Sequence, residues 1–277
     1  MADAASLQEL LALPFLQRAL LAGGLTGALG GVLGSFAVLR QLSFFSDALG
    51  HSALLGISLG VALGLNPTLV LIPFAVLFAL LVNHLVQHSP LPTDALLNII
   101  YSSSLAIAVV ALSALPGYQG GLQQLLFGDI LGVDGLDLLQ VTLLLLGTGG
   151  YLLLTRSSQI LLSLDPSLAL SRGVAVPRQR LLFVVVLAVV VAVSIKVVGV
   201  LLISAFVVIP ACASRLVSRH FGGYVLLAAG LGSGGAVVGV LASAVLNLPS
   251  GPCVVIVQLI GFLLALGVSR RWQGLAA

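Results

Sequence analysis

Charge is what this sequence has least of: 7% of its 277 residues are Asp, Glu, Lys or Arg, where a soluble domain carries about a quarter. With 60% of residues hydrophobic, a water-soluble globule could not hide its apolar surface, so the solvent around most of the chain must be lipid. The net charge of +3 is too small for a nucleic-acid partner. Methionine occurs once, which argues against a soft copper site. Cysteine occurs twice, as Cys212 and Cys253. Each sits in an apolar stretch and reads as a small buried hydrophobe, although the sequence leaves a disulfide open. No Gly-x-x-x-x-Gly-Lys-Ser/Thr phosphate loop is present, so nucleotide-driven work would need a second polypeptide. There is no repeat in the solenoid range and no soluble domain, and residues 1–277 read as one membrane domain. The first residues lack a basic leader and a small-residue cleavage site, and read as a polar lead into the first span.

What is there is apolar length. Crossing about 30 Å of hydrocarbon takes about 20 apolar residues as a helix. Such runs lie at roughly 16–39, 42–65, 67–87, 95–115, 136–154, 181–197, 198–217, 223–246 and 252–268. The fold class expected is therefore all-α, a polytopic helical bundle of about nine spans. Eight result if 181–217 is a single span plus a re-entrant piece. Abundant Gly, 32 residues, suits helices packed closely in lipid. With nine spans and an outer N-terminus, Arg40, Arg156, Arg172, Arg178, Arg180, Arg215, Arg219, Arg270 and Arg271 all fall on the cytoplasmic side. Arg18 and Lys196 fall near the outer face, Lys196 as a lone cation snorkelling to the interface.

One stretch stands out inside the spans: Leu42-Ser-Phe-Phe-Ser-Asp47-Ala-Leu-Gly-His51-Ser. Residues four apart share a helix face. A carboxylate at the bilayer centre costs about 2.5–3.5 kcal/mol on insertion scales, so one kept there needs a partner, a wet cavity or a cation. Asp47 with His51 is a borderline donor pair suited to manganese, iron or zinc and poor for calcium or magnesium. Equally, the two could form a hydrogen-bonded pair that locks helices together. Two ligands are few for a metal; a symmetry mate would double them. Ser43, Ser46 and Ser52 are possible helpers.

His84 and His88 repeat the four-residue spacing at the inner end of span three. They read as an interfacial pair facing water, or as a metal exit site on the cytoplasmic side. In the inner loop 157–180, Asp165 can cap a short helix that starts at Pro166 and ends by Gly173. The outer loop 116–135, with Asp129 and Asp134, offers an ordinary polar loop or a cation-attracting docking rim.

Taken in order, Gly34-Ser-Phe-Ala-Val-Leu-Arg40, the Asp47/His51 stretch, Asp165-Pro-Ser-Leu-Ala169-Leu-Ser-Arg-Gly173, Val198-Gly-Val-Leu-Leu-Ile-Ser-Ala205 with Ile209-Pro-Ala211 and Arg215-Leu, and Leu248-Pro-Ser-Gly-Pro252 resemble the permeases of bacterial manganese, zinc and iron ABC importers. These matches cover roughly residues 15–265. The resemblance implies a fold like the larger vitamin B12 and siderophore permeases, lying multi-pass in the bacterial plasma membrane. It implies a homodimer with two cytoplasmic ATPase subunits, fed by an extracytoplasmic metal-binding protein. On this resemblance Asp47 and His51 are the intramembrane metal ligands, and Asp165, Pro166, Ala169 and Gly173 belong to the segment that meets the ATPase. No cofactor is held permanently, the divalent metal being cargo. Gln41 stands where the family often has a second basic residue. The other reading is a stand-alone secondary transporter or channel, which would need ion-coupling charges on several spans.

Overall fold

The computed structural model describes residues 12–113, 128 and 130–274. Among them there are eleven helices, one 3-10 turn and no strand. In chain order the helices are α1 (Pro14–Leu39), α2 (Phe45–Ala62), α3 (Pro67–His88), α4 (Thr93–Ser113), α5 (Gly135–Leu154), α6 (Arg156–Leu164), α7 (Pro166–Ser171), α8 (Val176–Val198), α9 (Val200–Val217), α10 (Phe221–Leu246) and α11 (Ser250–Gly274); the 3-10 turn is Ile130–Gly132. The protein is an all-α, multi-pass membrane bundle, as its composition requires.

Eight of these helices are long and apolar enough to cross a bilayer. The ninth long helix, α9, has 18 residues, as many as α2, and is about 27 Å long. The expected break between 197 and 198 falls at Gly199, whose φ of 85° and ψ of 163° lie where only glycine rests without strain. The run 181–217 is thus two helices.

Two ends are distinct. At one, Arg40 Nη2 donates to the Gln159 carbonyl at 3.0 Å, Gln159 Nε2 donates to Gln179 Oε1 at 3.0 Å, and Phe36 meets Phe221 edge-on at 5.3 Å. These contacts gather the end of α1, all of α6 and the starts of α8 and α10. The same end holds Arg156, Arg172, Arg178 and Arg180, so the positive-inside rule makes it cytoplasmic. At the other end Lys196 reaches Asp137 and Gly23 lies against Ile130.

Helices α1, α2 and α8 form the centre: 61–72% of their spanning windows is buried, against 22–28% for α3, α4, α5, α10 and α11. The peripheral helices carry exposed Leu, Ile and Val such as Leu69, Val110, Leu146, Leu226 and Leu264, which is the surface lipid requires. The centre is close-packed because α1 is lined with glycine. A Cβ on Gly31 would stand 2.2 Å from the Ala228 carbonyl oxygen of α10, and one on Gly34 would stand 1.8 Å from the Val207 oxygen of α9.

Lys196 is not the lone snorkelling cation expected. Its Nζ donates to Asp137 Oδ1 at 2.5 Å; the Asp137 side chain is 7% exposed and that of Lys196 47%. Asp137 Oδ2 also accepts the Asp134 N–H at 3.3 Å, closing the first turn of α5. A buried carboxylate needs this pairing. Asp137→Ala removes both bonds, but water already screens the exposed ammonium. The expected loss is therefore about 1–2 kcal/mol, read as a lower thermal midpoint of the detergent-solubilised protein.

Candidate functional site

Helix α2 is buried on every face but one. Along it Phe44, Asp47, His51 and Leu55 are half-buried and Leu59 is exposed, while the residues between them are buried. The spacing of three to four residues makes this a single stripe. The rest of α2 packs against α3, α4, α8 and α9. Asp47 and His51 therefore sit in the one strip of α2 that the chain leaves uncovered.

The Asp47 side chain is 31% exposed and that of His51 18%, with Asp47 Oδ1 and His51 Nε2 3.7 Å apart. That is too long for a hydrogen bond, so the pair does not close on itself. Asp47 lies in the first turn of α2, where the helix dipole favours negative charge. His51 is steadied edge-on against Tyr101 of α4, with ring centroids 5.1 Å apart, and Tyr101 also meets Phe44 at 6.1 Å. A concavity of about 370 Å³ opens beside Asp47, lined by Ser43, Phe44, Ser204, Ala205 and Val208. Its floor is shared by α2 and α9. Two donors at about 2.1 Å from one metal stand roughly 3–3.4 Å apart, so a small side-chain shift would bring this pair to ligand geometry.

Among the described residues no group of three or more His, Cys, Asp or Glu could hold a metal. One copy thus presents a half-set of donors. Of the suggested helpers, Ser43 lines the concavity. Ser46 and Ser52 are fully buried on other faces of α2, their hydroxyls without a partner, so they do not join the pair. Sequence reasoning missed Tyr101, and nothing local in the sequence signals it. Ser204 and Ala205 lay within a quoted motif without a role assigned to them.

His84 and His88 are both exposed at the inner end of α3. Their rings are 4.2 Å apart, and His88 Nδ1 lies 2.8 Å from the His84 carbonyl oxygen. Among the described residues they belong to no group of three or more His, Cys, Asp or Glu that could hold a metal. Cys212 and Cys253 are free thiols. Asp129 and most of the outer loop 116–135 lie outside the described residues.

The inner segment resolves into α6 and α7. Asp165 Oδ1 accepts the N–H groups of Ser167 at 2.7 Å and Leu168 at 3.4 Å, Pro166 opens α7, and Gly173 has a φ of 76°. Ala169 is fully buried, whereas Leu164, Leu168 and Leu170 are exposed on the cytoplasmic side. Helix α6 was not expected, nor was what holds it. Arg40 Nε donates to Ser163 Oγ at 3.2 Å, its Nη2 also reaches Gln159 Oε1, and its guanidinium lies 4.3 Å over the Phe183 ring. Read from sequence, Arg40 was only a topology-setting charge.

Compared with known proteins, residues 12–269 match the ABC 3 transport family. The chain belongs to that family. Among its relatives, the high-affinity zinc uptake system membrane protein ZnuB of Haemophilus influenzae is 31% identical over 253 residues, covering 91% of this chain and 97% of that protein. The manganese import system permease protein ScaB of Streptococcus gordonii is 30% identical over 261 residues, 93% of this chain and 92% of ScaB. Among solved structures, PsaBC from Streptococcus pneumoniae in complex with Fab superposes with a TM-score of 0.85 at 26% identity, over 98% of each chain. The matched residues span the long helices, the Asp47 stripe and the α6–α7 segment.

Proposed function

We propose that this chain is the permease subunit of an ATP-driven importer that carries a divalent transition-metal ion from the outer face to the cytoplasm. The observation that carries the reading is the open stripe on α2. A carboxylate and an imidazole are left uncovered at membrane depth on a helix otherwise packed shut, beside a concavity shared with α9. Two copies facing each other across that stripe would offer two Asp47 and two His51 to one ion in place of its lost water. Relatives concerned with zinc uptake and manganese import support the cargo class, and the Asp/His donor set suits manganese, zinc or iron alike.

Energy would come from a partner ATPase docked on α6–α7. Leu164, Leu168 and Leu170 are exposed on the water side of the membrane, where apolar surface marks a protein interface. Asp165, Pro166 and Gly173 set the shape of that knob, and buried Ala169 seats it. A metal-binding protein on the outer face would deliver the ion.

The test is reconstitution in lipid nanodiscs with the candidate ATPase, titrating manganese, zinc and ferrous iron separately. One of these ions is expected to raise ATP hydrolysis several-fold, and the same ion to enter proteoliposomes only when ATP is supplied. Uptake that proceeds without any ATPase would overturn this reading in favour of a stand-alone transporter.

A further inference from the structure

Arg40 has a second property. Burial pushes its pKa down to about 10, the neighbouring Tyr151 acting against the fall and Arg180 adding to it. It is still charged at neutral pH. A cavity of about 280 Å³ lies at this point of the cytoplasmic end, with Arg40, Arg180, Ser163, Pro166, Val176 and Phe183 in its wall. Two arginines thus line one small space, close enough for Arg180 to act electrostatically on Arg40. The acid–base pairs His51 with Asp47 and Lys196 with Asp137 both lie elsewhere. The acid nearest in sequence to this wall, Asp165, already caps α7. Two cations gathered in a half-buried space, neither ion-paired to an acid, cost free energy that an incoming anion would recover.

The wall is also shaped for an anion. Helix α8 begins here with Pro177 in its first turn, and although Val176 N–H is taken by the Val174 carbonyl, the helix dipole still favours negative charge at this end. Arg40 is held in place by Ser163, Gln159 and the Phe183 ring, so little freedom is lost when it binds.

We propose that this pocket is an anion site that receives an acidic side chain of the partner ATPase. The occupant follows from continuity. Leu162, Ser163, Leu164 and Pro166 belong both to the pocket wall and to the α6–α7 knob with its exposed leucines. The proposal rests on the reading of α6–α7 as the ATPase-facing segment. It adds a functional consequence. Arg40 leads through Gln41, held at a φ of 57°, into the turn before the helix that bears Asp47. A carboxylate seated between Arg40 and Arg180 would therefore tie the motor's position to the metal-carrying helix.

The sequence supplies a clean test. Its only lysine is Lys196, which lies at the outer end beside Asp137. Arg180→Lys therefore puts the only side-chain amine on the inner face. Treating the permease–ATPase complex in nanodiscs with a zero-length carbodiimide should join that amine to an Asp or Glu of the ATPase, identified by mass spectrometry. A benzophenone photocrosslinker at exposed Ser167 reports in parallel whether the ATPase sits on α6–α7 at all. Arg180→Gln should lower metal-stimulated ATP hydrolysis about tenfold, the worth of one charge-assisted bond, with the complex still assembling. If Ser167 crosslinks and the amine does not, the pocket proposal falls and the docking reading stands. If neither crosslinks, both fall. If the amine stays unlinked and activity follows the phosphatidylglycerol content of the nanodisc, the occupant is a lipid phosphate and the ATPase carboxylate is excluded.

Discussion

Asp47→Ala and His51→Ala are each expected to abolish metal uptake, by at least about a hundredfold, while the protein still inserts and copurifies with its ATPase. The reasoning starts from what each side chain does in the folded chain. Neither belongs to the buried core: they are 31% and 18% exposed, too far apart to hydrogen-bond each other, and His51 packs only its ring edge-on against half-buried Tyr101. Removing either therefore leaves the core of α1, α2 and α8 intact. What it removes, on the proposed function, is ligand. In a dimer each substitution acts twice, so one change takes two of four donors from the ion. An ion that has given up its water at membrane depth cannot do without half its shell. The isosteric Asp47→Asn and His51→Gln should be nearly as damaging, because the amide brings no negative charge and a weaker donor. Isotope uptake into proteoliposomes reads all of this. Normal rates in both alanine variants would remove the stripe from the mechanism, although the membrane fold would stand.

Some of this was legible in the sequence because the signal is local. An apolar run either reaches the length of the hydrocarbon layer or it does not, and the nine runs fall on the nine long helices. Asp47 and His51 declared themselves as a polar pair four apart in such a run. Asp165, Pro166 and Gly173 marked a short helix because capping acts over three or four residues. What stayed hidden depends on partners distant in the chain. Arg40 finds Gln159 across 119 residues and Lys196 finds Asp137 across 59. Nothing near either cation tells an interfacial charge from a buried, bonded one. The same applies to Tyr101 beside His51, which only the packing of α4 on α2 brings there. Helix α6 escaped for another reason: it has a strong polar face and follows α5 across Thr155 alone, so hydropathy shows no new run.

Gly34→Val is expected to be the most destructive single change in the bundle, costing on the order of 3 kcal/mol or more. A Cβ at Gly34 would stand 1.8 Å from the Val207 carbonyl oxygen. The obstacle is backbone, so no side-chain rotation relieves it, and α1 and α9 must separate by an ångström or more. Neighbouring turns would separate with them, because Gly30 brings α1 against the Phe206 oxygen, the carbonyl that Pro210 leaves without its helical donor. In water, hydrophobic burial could partly hold two parted helices together. In lipid the acyl chains are as apolar as the side chains, and close van der Waals packing is what holds helices to each other. The lost packing therefore has little to replace it. Function should fail with stability, since α9 carries Ser204, Ala205 and Val208 into the wall beside Asp47. Even Gly34→Ala should lower the thermal midpoint clearly and depress uptake. The control is Gly149→Ala on α5, where an added Cβ meets nothing within 4 Å. There, alanine's better helix propensity should leave stability unchanged or raise it by up to about 1 kcal/mol. Equal midpoints for the Gly34 and Gly149 variants would mean that α1 and α9 are not in backbone contact, and the central packing of the bundle would have to be redrawn.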